Sequence, residues 1–132
     1  MATIKRFEDI EAWQKARLLA KEIYAISIET NLSKDFRFRD QINAAAGSVM
    51  DNIAEGFESG GKLELINFLT ISKGSCAEVR SQLYRCFDRN FIDEIKLNEL
   101  LKLAEESGGM LSRWISYLNQ TDIKGSKFKD RI

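Results

Sequence analysis

The stretch DNIAEG, residues 51 to 56, carries the side chains of this chain best placed to do chemistry. Asn52 offers an amide, Glu55 a carboxylate, and Gly56 leaves space beside them. The two polar residues are three apart, so on a helix they project from adjacent turns of one face. Three readings follow. As a packing device, the amide and carboxylate tie their helix to a neighbour or a helix end, such as the segment from Phe7 to Trp13, and fix its register. As a binding notch, they meet a small ligand or a protein, with Gly56 giving room for the approach. As a catalytic pair they are weak, because Glu55 has no companion acid or base at a recognisable spacing. The expectation is a packing device.

Other chemistry is largely ruled out by what is missing. The chain has no histidine, which excludes Glu-x-x-His di-iron sites, histidine-type zinc sites, Ser-His-Asp triads and imidazole acid–base catalysis. Gly60-Gly61 lacks the spacing and the Lys-Ser/Thr of a phosphate loop. Cys76 and Cys86 lie too far apart on one rigid helix to form a disulfide. They read as small buried thiols in a reducing cytoplasm. No metal or cofactor is expected.

The 132 residues suit one domain and need no disulfide or metal staple. Lys+Arg and Asp+Glu balance at 20 each, so no overall field draws the chain to nucleic acid or an anionic membrane. No apolar run is long enough to span a bilayer, and the evenly charged N-terminus does not read as a signal peptide. Arg37, Arg39, Arg80, Arg85 and Arg89 are the candidates for a local nucleic-acid patch, although scattered helical arginines usually form a solvated, ion-paired face.

The elements that must position these residues are helices. There is no proline, and apolar residues recur at intervals of three and four. Helices are predicted from Ile10 to Ile28, Phe36 to Glu58, Lys62 to Arg89 and Glu94 to Asn119. Asp9 is read as the cap of the first, and Ser33 or Asp35 as the start of the second. Short connections between long helices predict an all-α, antiparallel, up-down-up-down four-helix bundle over residues 1–120. The lysine-rich segment 121–132 reads as a flexible basic tail.

Trp13 falls on the first stripe as a core residue needing one acceptor for its indole N–H. The apolar face of the third helix is too wide for one core. It runs past Leu69 and Leu83 to Ile66, Ala77 and Tyr84, roughly half the circumference against the ≳100° a bundle requires. Either it touches both neighbours, or part of it meets another subunit. A turn centred between Gly60 and Gly61 places Gly47 opposite Gly74, and Ala46 opposite Ser75. Mid-helix glycines each cost roughly 1 kcal/mol against alanine, so such a pair predicts a close backbone approach. Gly108-Gly109 predicts a second close approach or a kink.

Three segments carry a family resemblance: FEDIEAWQKA at 7–16, RDQINAAAGSVMDNIAEGFESGG at 39–61, and INFLTISKGSCAEVRSQLYRCFD at 66–88. Together they resemble the four-helix-bundle family named for the 23S rRNA intervening sequence. The resemblance implies a small bacterial protein, a left-handed bundle and a ring-like homopentamer. A related branch holds the accessory variability proteins of diversity-generating retroelements, basic pentamers that work with a reverse transcriptase and its RNA. Many relatives carry paired arginines where this chain has Asn43 and Ala44, which weakens an RNA role here. The resulting expectation is a non-catalytic, homo-oligomeric scaffold or adaptor with a protein partner. The alternative is an accessory protein that binds RNA through the arginines. Asn52, Glu55, Gly56, Gly47, Gly74 and Trp13 are the structural or docking candidates.

Overall fold

A computed structural model describes residues 3–125, with side chains through residue 120. Four helices make up the fold: α1 (Glu11–Glu29), α2 (Phe36–Glu58), α3 (Lys62–Asp88) and α4 (Glu94–Gly125). Short 3-10 turns at Phe7–Asp9 and Asn31–Lys34 precede α1 and α2. Among the described residues there is no strand. Contacts run around the square from α1 to α2, α3, α4 and back to α1, and the α2–α3 seam is the broadest.

Local chemistry sets the helix ends. At the end of α2, Ser59 donates its hydroxyl to the Gly56 carbonyl at 2.6 Å, and Gly60 turns the chain with φ of 81°. Only glycine takes that backbone conformation without strain. At the end of α3, Asn90 adopts φ of 61°, and the Phe91 N–H bonds the Cys86 carbonyl at 2.9 Å, which closes a Schellman turn. Asp93 caps α4 by accepting the Lys96 N–H at 2.8 Å.

Some expected boundaries shift. Asp9 does not cap α1; it ends the preceding 3-10 turn, and Ile10 stands at the cap position without a side-chain bond. Asp35 stands at the α2 cap position, but its carboxylate accepts from Arg89 at 2.8 Å instead of from the helix. α4 continues to Gly125, beyond Asn119, because nothing between them breaks a helix. The segment read as a tail is therefore helical through residue 125, and 126–132 lie outside the described residues.

The core forms two apolar clusters. One packs Leu19, Ile23, Leu32, Phe38, Ile42, Leu83, Leu97 and Leu101; the other packs Trp13, Val49, Ile53, Leu69 and Leu111. Small residues are buried among these larger ones: Ala16, Ala46, Ser72, Cys76, Ala104 and Ser107.

α2 and α3 run antiparallel: Ser48 pairs with Ser75, the Val49 carbonyl with Ser72, and Gly56 meets Leu65. The expected register is thus observed, yet its glycines are not the close contact. A Cβ built on Gly47 or Gly74 meets nothing within 4 Å. The tight point is Gly56, where a Cβ would stand 2.8 Å from the Phe68 Cβ and 3.2 Å from the Leu65 Cδ1. Side-chain removal is required one turn from the hairpin, and the serines hold the middle of the seam. Gly56→Ala should accordingly destabilise the protein by about 1–3 kcal/mol. Gly47→Ala and Gly74→Ala should each stabilise it by about 0.5–1 kcal/mol. Urea unfolding midpoints of the three variants check both signs.

Candidate functional site

Asn52 is half-buried on α2 and turns back on its own helix. Its Nδ2 donates to the Ser48 carbonyl at 2.8 Å and to the Ser48 Oγ at 2.9 Å. Ser48 Oγ in turn accepts the hydroxyl of Ser75 on α3 at 2.8 Å. One level away, the buried Ser72 hydroxyl donates to the Val49 carbonyl at 2.6 Å. Asn52 thus reaches the neighbouring helix through a serine relay, not through the segment from Phe7 to Trp13. Glu55 is exposed and has no side-chain partner among the described residues. The structure therefore separates the two: Asn52 joins the seam, whereas Glu55 faces solvent next to the close contact at Gly56.

The same face of α3 carries Gln82, which pattern reading did not single out. It is 3% exposed; its Nε2 donates to Glu78 at 3.1 Å, but its Oε1 is buried with no partner. An unmet buried acceptor costs about 1–3 kcal/mol. The available signal was spacing, since Ser72, Ser75 and Gln82 repeat at three and seven on the side of α3 that faces α2.

The five arginines do not converge. Arg85 lies over the Phe38 ring at 4.2 Å, and Arg89 lies over it at 5.1 Å while pairing with Asp35. Cation–π contacts of this kind hold guanidinium groups against the protein. Arg39 faces another way, over Phe36 at 5.1 Å, and is bonded to Asp40 at 3.1 Å and to the Ser33 carbonyl at 3.3 Å. Arg80 lines a separate cleft between α3 and α4, of about 230 Å³, with Cys76 and Gly108. Arg37 is exposed, with no side-chain partner among the described residues. At Gly108 a Cβ would stand 3.7 Å from the Cys76 Cβ, an ordinary contact, so this glycine does not mark an enforced approach.

Trp13 is core, as read: it is 9% exposed and meets Phe7 edge-on at 5.1 Å between ring centroids. Cys76 and Cys86 are buried and free, and burial pushes both thiols up from 9.0 to about 11, against the smaller opposing pull of nearby arginines. Such thiols are poor nucleophiles at neutral pH.

These features define a helical bundle whose internal polar groups mainly serve the contact between two of its helices. The match to the 23S rRNA-intervening sequence protein family spans residues 8–113. The chain belongs to that family. Among solved structures, it is similar to a protein of unknown function from the S23 ribosomal protein family, from Bacteroides thetaiotaomicron. The two are 21% identical with a TM-score of 0.72, over 79% of this chain and 97% of the other. At that identity the likeness is one of fold. No protein of curated function matches the chain.

Two expectations follow. In a double-mutant cycle, Asn52→Ala and Ser75→Ala should be non-additive by about 0.5 kcal/mol or more, because they share Ser48, whereas Glu55→Gln should change stability by less than about 0.5 kcal/mol. For the thiols, the folded protein keeps protons that the unfolded chain releases near pH 9. The stability they contribute is whole below that pH and lost as pH climbs through about 11. Between those values the urea midpoint should fall more steeply for the native protein than for a Cys76→Ala/Cys86→Ala variant.

Proposed function

We propose that this chain acts as a non-catalytic, homo-oligomeric scaffold or adaptor that assembles through an edge of α3. The observation that carries this is the exposed remainder of the wide apolar face. Ala77 is exposed, Tyr84 is 50% exposed and Phe87 is 37% exposed, while the bundle's own core uses Leu69, Val79 and Leu83. Ile66, at the far end of the face, packs against the bundle's own core, so Ala77 and Tyr84 are the part left open. A second copy of the chain is the partner this reading assigns to it, with a five-membered ring as the expected assembly. A catalytic role has little support, since Glu55 stands alone and both thiols are held protonated. The buried free thiols suit a reducing cytoplasm, and no helix among the described residues is long and apolar enough to cross a membrane.

Nucleic-acid association has weaker support. Arg39, Arg85 and Arg89 are already engaged by carboxylates, carbonyls and rings, and Arg37 and Arg80 stand on different helices. Light scattering after size-exclusion chromatography should return one homo-oligomer. Tyr84→Asp should yield a smaller species with unchanged far-ultraviolet circular dichroism. A monomer at high concentration would falsify the assembly. Steeply salt-dependent retention of RNA by the native protein would transfer the reading to nucleic acid.

A further inference from the structure

A cleft of about 430 Å³ lies between the first turn of α1 and the second half of α4. Its apolar lining is Ile4, Ile10, Ala12, Met110 and Trp114, joined by the charged residues Glu11 and Arg113. The volume falls in the roughly 300–1,000 Å³ range of small-molecule sites, and an apolar wall with a few charged groups is their usual make-up. Trp114 and Met110 are half-buried, so an indole and a thioether remain available to an apolar guest.

The charges give the cleft its specificity. Glu11 and Arg113 stand on different helices, are exposed, and make no ion pair with each other or with any other side chain among the described residues. Elsewhere on the surface the protein does close such pairs, Lys15 with Glu106 and Arg89 with Asp35 among them. Gly109 adds a further detail. The Arg113 Nη1 lies 3.3 Å from where a Cβ on Gly109 would stand, so the missing side chain lets the guanidinium lie along α4. Two opposite charges that leave each other unpaired beside an apolar hollow complement a molecule carrying both charges and one apolar group.

We propose that this cleft binds an α-amino acid with an aromatic or branched aliphatic side chain. Its ammonium group pairs with Glu11 and its carboxylate with the planar fork of Arg113. Its side chain lies against Ile10, Met110 and Trp114. Each charge is recognised by a separate residue, so the two contributions can be removed one at a time.

The test uses the full-length protein, titrated calorimetrically with L-phenylalanine, hydrocinnamate, which lacks the ammonium, and phenethylamine, which lacks the carboxylate. L-phenylalanine should bind about tenfold more tightly than either. Arg113→Gln should weaken L-phenylalanine about tenfold and leave phenethylamine unchanged. Glu11→Gln should weaken L-phenylalanine similarly and leave hydrocinnamate unchanged. Both residues are exposed, so circular dichroism should show the fold intact in each variant. Absence of saturable binding at millimolar concentration, as when a second copy covers the cleft, overturns the proposal. So do equal affinities for the three compounds, or an L-phenylalanine affinity that ignores both substitutions.

Discussion

The approach of α2 to α3 sets the geometry on which the rest of this bundle depends. Two different devices hold it. Near the hairpin, Gly56 omits a side chain, so its backbone meets Leu65 and Phe68 directly. At mid-height, serine hydroxyls replace hydrocarbon, bonding Ser75 to Ser48 and Ser72 to the Val49 carbonyl. Hydrophobic burial alone is non-directional and would tolerate a helix slipping by a turn. A hydroxyl aimed at one carbonyl does not, because a slipped register leaves it buried and unbonded. The seam thus takes its strength from the apolar clusters above and below, and its register from a few oxygen atoms.

That division explains why a motif with the look of a site is mostly architecture. Asn52 uses both amide hydrogens inside its own helix, where they hold Ser48 in place as acceptor for Ser75. Asn and Ser inside helices usually compete with the backbone for hydrogen bonds. Here that tendency is directed across the interface through one shared hydroxyl. Glu55, three residues on, takes no part and remains hydrated, which is the inexpensive state for a carboxylate.

Helices and register were readable from the chain because they follow from short-range rules. An unbroken three-and-four periodicity fixed the four segments, and a glycine turn of known centre fixed which residues of α2 and α3 face each other. Two kinds of feature escaped. Caps depend on where one side chain points: Asp35 had a choice between its helix and Arg89, and only the folded arrangement shows that Arg89 wins. Glycine roles depend on inter-helix distance along the seam, which periodicity does not encode; Gly47 and Gly74 share the expected register yet border open space, whereas Gly56 is in contact.

The distribution of unmet groups separates the inside of the molecule from its outside. Among the described residues, the Gln82 Oε1 is the buried side-chain polar atom left without a partner. Further unpartnered groups are at the surface, among them Glu55, apolar side chains on α3 and the opposite charges beside the α1–α4 cleft. A bundle whose interior leaves so little unpaired has small scope for chemistry that requires a perturbed buried group, but it presents outer features in fixed geometry. Recognition of a second copy along one edge and of a small zwitterion in a cleft elsewhere would both draw on that rigidity. The two surfaces involve different helices, with Tyr84 on α3 and Glu11 and Arg113 on α1 and α4. Occupancy of one therefore need not exclude the other.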